Sequence, residues 1–548
     1  MFNKKYVLGF CAVAVFNLAV ISSANAQEAP KNWFNLDEKA DKTRGVSAEK
    51  AYTELLKKKK ANKKKPVIVA VIDSGVEPDH PDLKKVMWVN TKEKAGNGID
   101  DDKNGYIDDI NGWNFLGSKD GKSNVNSQTL EVTREYVRLG KKFANASESD
   151  KASADYKLYL KVKGEFEKGK AQNAGGGGGV SPELAAMLKT MYKNSIPALE
   201  KALNTKELTE DKVKVLDTKG DAELDKAKGF YMQMVANGIT SEKQLNEALD
   251  AEVAKNNSSE KNYQYDDTFN SSTVVGDNPD NLQEKGYGNN NVEGPEAFHG
   301  THVAGIIAAV RQNGEGIDGV ADNVVIMSLR AVPDGDERDK DVANAIFYAV
   351  DNGAQIVNMS FGKGYSPQKS YVDEAVKYAE KKGVLLIHAA GNDGKDLDNK
   401  DNNNFPNAYY LSGGKATNWL EIGASSWKAE SKNLPANFSN YGQTKVDIFS
   451  PGVDLYSTVP DAKYGNASGT SMACPAAVGV AALVLSRYPK LTAVELKNIL
   501  MESSVKYKDV EVRRPGKGDA VKFGELSVSG GVINAYEALL LAEKRSKK

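Results

Sequence analysis

Val67-Ile68-Val69-Ala70-Val71-Ile72 runs without a polar residue into Asp73-Ser74-Gly75. A β-branched run of this length, apolar on both faces, is how a strand buried inside a parallel sheet reads. Similar runs recur at 324–332, 355–360 and 384–390, with helical patterns at 341–351 and 368–382 between them. Strand, helix, strand, helix predicts an α/β fold with a mostly parallel central sheet covered on both faces. Chemistry in such sheets gathers beyond the carboxyl ends of the strands. Asp73, Ser360 and Asn392 each fall at or just past such an end.

The alternation breaks between about 116 and 295. This stretch is rich in Lys, Glu, Asn and Ala, carries the run Gly175 to Gly179, and has helical character at 157–170, 182–203 and 241–255. It reads as an inserted, mainly helical subdomain with the glycine run as a joint. Lys57 to Lys60 and Lys63 to Lys65 read as a solvated helix end and linker. The organisation expected is a leader at 1–26, an N-terminal lead of the mature fold at 27–65, and a first catalytic part at 66–116. The insertion follows at 117–293 and a second catalytic part at 294–548.

Composition narrows the classes. The 548 residues are 40% apolar and 27% charged, with 73 basic against 74 acidic side chains. That is globular, and it lacks the basic surplus a nucleic-acid binder needs to displace counterions. Lys4 and Lys5 precede an apolar run from Tyr6 to Ile21, followed by Ala24-Asn25-Ala26, the shape of a secretory signal peptide. The run contains Asn17 and falls short of the roughly 20 residues of a membrane span. The protein is therefore expected to be exported, secreted or periplasmic, with no stable membrane insertion after cleavage. Cleavage after Ala26 would leave Cys474 as the one cysteine, so packing or bound ions must replace disulfides.

Three separated segments carry chemistry: Asp73-Ser74-Gly75, His299-Gly300-Thr301-His302-Val303-Ala304-Gly305, and Gly469-Thr470-Ser471-Met472-Ala473-Cys474-Pro475. In the second, Val303, Ile306, Ile307 and Val310 set a buried helical face, with His299 at the mouth and His302 a turn deeper. In the third, small residues follow Ser471, which places it at a helix N-terminus near unpaired backbone N–H groups. A serine hydroxyl needs a neighbouring base to attack, histidine suits that task near neutral pH, and a buried carboxylate fixes its tautomer. Ala389-Ala390-Gly391-Asn392 ends a strand with an amide able to donate to an oxyanion.

In this order the four motifs closely resemble those of the subtilisin-like serine proteases (subtilases, peptidase family S8). The resemblance spans 66–115 and 294–541, with Asn437-Phe438-Ser439-Asn440-Tyr441-Gly442 and Ser450-Pro451-Gly452 as further points. It implies a subtilisin-like three-layer sandwich and a serine endopeptidase acting on extended protein or peptide segments through an acyl-enzyme. Carried over by motif, Asp73 orients, His299 is the general base, Ser471 the nucleophile and Asn392 the side-chain oxyanion donor. Ser360-Phe361-Gly362 matches the strand that pairs with substrate, and Ala390 and Gly391 match a wall of the pocket for the side chain before the cut. Asn404, preceding Phe405-Pro406, matches that pocket's floor and would make it more polar and shallower than glycine would. The family's separate inhibitory propeptide domain has no room between Ala26 and Pro66, and the large gap between Asp73 and His299 departs from compact relatives.

Duller readings compete. His302, His388 and His80 read as structural histidines, and Cys474 as a buried small residue. A zinc site on His299 and His302 lacks a third ligand. A catalytically silent, calcium-stabilised binding protein that keeps the subtilase shape is the rival function, disfavoured because all four groups are intact. No organic cofactor is expected, and oligomeric state is not readable.

Asp100-Asp101-Asp102-Lys103-Asn104-Gly105-Tyr106-Ile107-Asp108 adds a second signal. Asp100, Asp102, Asn104 and Asp108 stand at positions 1, 3, 5 and 9 of a loop, with glycine at 6 and the Tyr106 carbonyl at 7. That spacing wraps oxygen ligands around a hard cation and predicts a structural Ca²⁺. Asn111 stands where a full calcium hand has glutamate, and Asp109 could substitute for Asp108.

Overall fold

The computed structural model describes residues 29–57, 65–173, 182–236, 239, 241–257, 263–428 and 430–547. The leader, residues 58–64 of the lysine-rich run and the glycine run at 175–179 lie outside the described residues.

The strands are β1 (Val67–Asp73), β2 (Gly112–Asn114), β3 (Val324–Arg330), β4 (Ile356–Met359), β5 (Leu385–Ala389), β6 (Trp419–Ser425), β7 (Ile448–Pro451), β8 (Leu455–Val459), β9 (Lys463–Ala467), β10 (Val505–Lys506), β11 (Glu511–Arg513), β12 (Ala520–Lys522) and β13 (Gly531–Val532). Nine of them form one sheet in the order β10-β13-β7-β6-β5-β4-β1-β3-β2. Every neighbouring pair is parallel except β10 with β13. β8 and β9 make a separate antiparallel hairpin, as do β11 and β12. β1 pairs with β3 on one side and β4 on the other, so the strand order switches direction at Asp73. A switch point is where such sheets open a crevice beyond the strand ends.

The longer helices are α1 (Glu131–Lys142), α2 (Ala154–Asn173), α3 (Pro182–Leu203), α4 (Ala222–Ala236), α5 (Glu242–Asn257), α6 (Phe298–Ala308), α7 (Asp339–Asp351), α8 (Lys369–Lys382), α9 (Thr470–Arg487), α10 (Ala493–Glu502) and α11 (Ala535–Ser546). Alternate β1 side chains point to opposite faces, as the pleat requires. Val67, Val69 and Val71 join a core with α6, α9, α10 and α11, while Ala70 and Ile72 join one with α7 and α8. Those are the three expected layers. Among the described residues α9 alone is long and apolar enough to cross a membrane, and 89% of it is buried as the central core helix. Trp33 and Phe34 of the N-terminal lead are wholly buried in the core that holds α9.

The chain divides into two compact units, one containing Lys163–Tyr265 and the other Ala29–Val162 with Asp266–Lys548. The division falls inside α2, so the separate helical unit is narrower than 117–293. Its core includes Leu188, Phe230, Met234, Leu245 and Leu249 from α3, α4 and α5. Residues 266–293 belong to the larger unit, where Asp277 is buried against Arg338 and Lys340, and Lys340 also pairs with Glu284 at 2.8 Å. Pairing of this kind offsets the cost of burying the charges.

Candidate active site

Asp73 ends β1 with its side chain 2% exposed, and its Oδ1 meets Nδ1 of His299 at 2.7 Å. Ser74 N–H donates to the same oxygen at 2.7 Å, and the Ser74 carbonyl accepts from Nε of the buried Arg330 at 2.9 Å. Arg330 also donates to Asn114 Oδ1 and the Val125 carbonyl, so the buried guanidinium braces the turn after the aspartate. Burial lowers the Arg330 pKa to about 10, against the opposing pull of the Glu296 carboxylate.

His299 lies in the first turn of α6. That helix end reaches the Asp73 turn because Gly300 lacks a side chain: a Cβ there would clash with the Gly75 carbonyl. Thr301 Oγ1 accepts from Glu77 N–H at 2.9 Å. The β8–β9 hairpin holds the opposite side, with Thr458 Oγ1 donating to the Thr301 carbonyl and Ser457 Oγ to the His302 carbonyl, both at 2.7 Å. His302 Nε2 donates to the Leu455 and Gly465 carbonyls, and burial reinforced by His299 drops its pKa to about 4. It is a neutral clamp. For His299 burial works against the charged ring, but the Asp73 carboxylate outweighs it and holds the pKa above the usual imidazole value.

Ser471 is the second residue of α9. Pro475 has no N–H to bond the carbonyl four residues back, which is that of Ser471. The freed carbonyl accepts the Ser360 hydroxyl at 3.0 Å, and Ser471 Oγ donates to the Ser360 carbonyl at 3.0 Å. The parallel register Ile72↔Met359 puts Asp73 and Ser360 at the ends of adjoining strands, while Ser471 Oγ bonds the Ser360 carbonyl and has no hydrogen bond to His299 among the described residues. Asn392 Oδ1 accepts from Thr470 N–H (2.8 Å) and Oγ1 (2.9 Å), which orients its amide. The point where Gly469 would carry a Cβ is 3.4 Å from Asn392 Nδ2 and 3.5 Å from Ser471 N. Two donors thus converge on one space, the arrangement that stabilises an oxyanion.

Gly391 has φ +99°, a conformation glycine adopts freely. Its N–H donates to Thr470 Oγ1 at 3.1 Å, and Asn440 Nδ2 donates to the Ala390 carbonyl at 2.8 Å. Asn404 donates through Nδ2 to the Ala389 carbonyl at 2.9 Å, and its Oδ1 fills the space a Cβ on Gly362 would need. Phe361 is half-buried, and Gly362 is exposed. Cys474 is fully buried with its thiol pKa raised by that burial, and His388 is bonded through Nδ1 to Glu421 at 2.9 Å.

In the acidic loop the carboxylates of Glu93, Asp100 and Asp102 come within 4.8 Å of one another. No lysine or arginine pairs with any of the three among the described residues. Asp100 and Asp102 also accept from Asn104 N–H, at 3.1 and 3.0 Å. Tyr106 is buried against Trp113 and Tyr348. The Asp108 carboxylate turns to the Asn97 and Gly98 N–H groups instead. Glu93, outside the loop motif, takes the inward place and accepts from Asp102 and Asp108 N–H at 2.9 and 3.2 Å. Nothing in the local spacing announces Glu93, because the turn between it and Asp100 sets the approach.

A parallel α/β sheet with an Asp–His pair at its switch point, and a serine at a helix start fastened to the end of the adjoining strand, has the elements of a serine-hydrolase site. The family model of the subtilases matches residues 208–524, more than half of the chain. The chain belongs to the subtilase family. It is 36% identical over 242 residues to the thermophilic serine proteinase of Bacillus sp. (strain AK1), covering 44% of this chain and 52% of that one. To thermitase of Thermoactinomyces vulgaris it is 40% identical over 190 residues (34% and 61%), and to subtilisin DY of Bacillus licheniformis 35% over 214 residues (38% and 72%). The chain thus spans about half the length of the first of these relatives. Asp73 lies outside the family model's span, so its place in the site rests on the 2.7 Å contact with His299.

Proposed function

We propose that this protein is a serine endopeptidase that hydrolyses peptide bonds in extended protein segments through an acyl-enzyme. One observation carries the reading: a carboxylate and an imidazole 226 residues apart meet at 2.7 Å at the sheet's switch point. An extended segment pairs along Ser360-Phe361-Gly362, and its side chain before the cut enters between Gly362, Ala390 and Gly391 above Asn404. The Ser471 hydrogen bond passes from the Ser360 carbonyl to His299 Nε2. Neutral His299 takes the proton as Oγ attacks the carbonyl carbon, and Asp73 stabilises the imidazolium through Nδ1–H. The oxyanion receives Asn392 Nδ2–H and Ser471 N–H. His299 then gives its proton to the leaving amine, and water repeats the sequence to free the acid. Incubation with denatured casein tests this: fragments cut at internal peptide bonds should form, and Ser471→Ala should abolish them. Fragmentation that survives the substitution refutes the assignment.

The protein is exported by cleavage of the leader at 1–26, to the periplasm or beyond the cell. Support comes from the lysine-led apolar run and the small residues Ala24-Asn25-Ala26 that follow it. A structural Ca²⁺ would be held by Asp100, Asp102 and Glu93, with Asn104 and the Tyr106 carbonyl as further oxygen donors. Three carboxylates without a facing cation are the hard-oxygen set such an ion takes, and it would neutralise their repulsion.

A further inference from the structure

We infer that Lys363 and Glu131 are positioning residues that set the substrate-binding edge for extended substrates; this rests on the endopeptidase reading above. Lys363 follows Ser360-Phe361-Gly362 directly. Its backbone is bonded both ways to Phe405, Lys363 N–H to the Phe405 carbonyl at 3.0 Å and Phe405 N–H to the Lys363 carbonyl at 2.9 Å. These bonds to the segment that carries Asn404 are the backbone's own, so a change of the Lys363 side chain leaves them in place.

The Lys363 side chain turns inward, with 1% exposed. Its ammonium pairs with Glu131 at 2.6 Å and Asp339 at 2.8 Å and donates to the Glu337 carbonyl at 2.7 Å. A buried ammonium persists only with such partners. Glu131 opens α1, inside the chain that separates Asp73 from His299. Arg134 grips Glu131 through two bonds (3.1 and 2.6 Å) and donates to the Asp336 and Glu337 carbonyls at 3.0 and 3.1 Å. Glu131 N–H in turn donates to Asp336 Oδ2 at 2.7 Å. Gln128 N–H bonds the Asp334 carbonyl, and Asp334 N–H the Asn126 carbonyl, at 2.7 and 2.8 Å. Two residues beyond Lys363, Tyr365 packs on the cluster of Leu139, Phe143 and Val162. The chain between the catalytic aspartate and histidine thus fastens the outer end of the substrate strand. The Ser471 end of the strand is held separately, by Ser360.

This separation makes the role measurable. A group that only fastens the outer edge should matter for substrates that reach it and not for those that end at the cut. Lys363→Met and Glu131→Gln are compared with wild type on an N-acetylated single-residue ester and on a tetrapeptide anilide ending in the same residue. The expected result is a rise of about tenfold or more in KM for the tetrapeptide, with the ester's kcat/KM and the rate of fluorophosphonate labelling changed less than about twofold. Lys363→Arg should restore most of the tetrapeptide KM. The double variant Glu131→Leu/Lys363→Met, which removes both charges together, gives the same reading if either single variant fails to fold. Equal losses on ester and tetrapeptide, or no loss on either, overturn the inference. A wild-type protein that fails to label at all defeats the endopeptidase reading instead.

Discussion

Asn392 and His299 show how single residues are tuned by what holds them. The Asn392 amide is locked by Thr470, so its Nδ2 is aimed before substrate arrives. Asn392→Ala should lower kcat by about 10²–10³ with little change in KM, the loss known for such a donor in subtilisin itself. A large KM effect with kcat intact would assign the residue to ground-state binding. The Asp73 carboxylate raises the His299 pKa, and a protonated ring cannot accept the serine proton. The acid limb of kcat/KM should therefore lie above the ordinary imidazole pKa, about 6.5, and activity should fall as pH drops through it. Stability runs the other way. The charged pair contributes fully below the ordinary imidazole value and is lost as pH rises through the raised one. Asp73→Asn should move the acid limb down along with a fall in rate. Residues of this kind were legible where function demands a fixed type within a short motif. Arg330, Glu131 and Lys363 were not, because the contacts that place them, Arg330 with Ser74 and Glu131 with Lys363, span 256 and 232 residues, and a lone charged residue carries no local pattern.

Among the elements, strands apolar on both faces announced themselves. β1, β3, β4 and β5 fall within a residue or two of the runs read from the chain, as do α7 and α8. β6 did not. Its sequence, Trp419-Leu420-Glu421-Ile422-Gly423, breaks the apolar run with a glutamate that is tolerable only because His388, Trp419 and the Asp447-bonded backbone surround it. α1 was also passed over, since a polar composition hides the few residues that it buries. The acidic loop is the element whose stability should depend on an added ion. Chelation should lower the melting temperature and readded Ca²⁺ should restore it, because an ion that binds only the folded state stabilises it. Glu93→Gln should weaken that recovery more than Asp108→Asn, since Glu93 faces Asp100 and Asp102 while Asp108 caps Asn97 and Gly98. A melting curve indifferent to chelator, or the reverse order of the two variants, contradicts the assignment.

At the scale of the molecule, the sheet's switch point does the gathering. Asp73 comes from β1, Ser360 from the end of β4, Asn392 from beyond β5, and Ser471 from the helix that fills the core beneath them. The long stretch between Asp73 and His299 leaves that arrangement intact, part of it forming a compact unit of its own and part bonded into the larger one. Reaction with a fluorophosphonate probe, followed by peptide mapping, tests the gathering most directly. Wild-type protein should carry one phosphonyl group, on Ser471, and Ser471→Ala none; His299→Ala should slow labelling by several orders of magnitude. Labelling of another serine, or labelling of Ser471 at the same rate without His299, would contradict it.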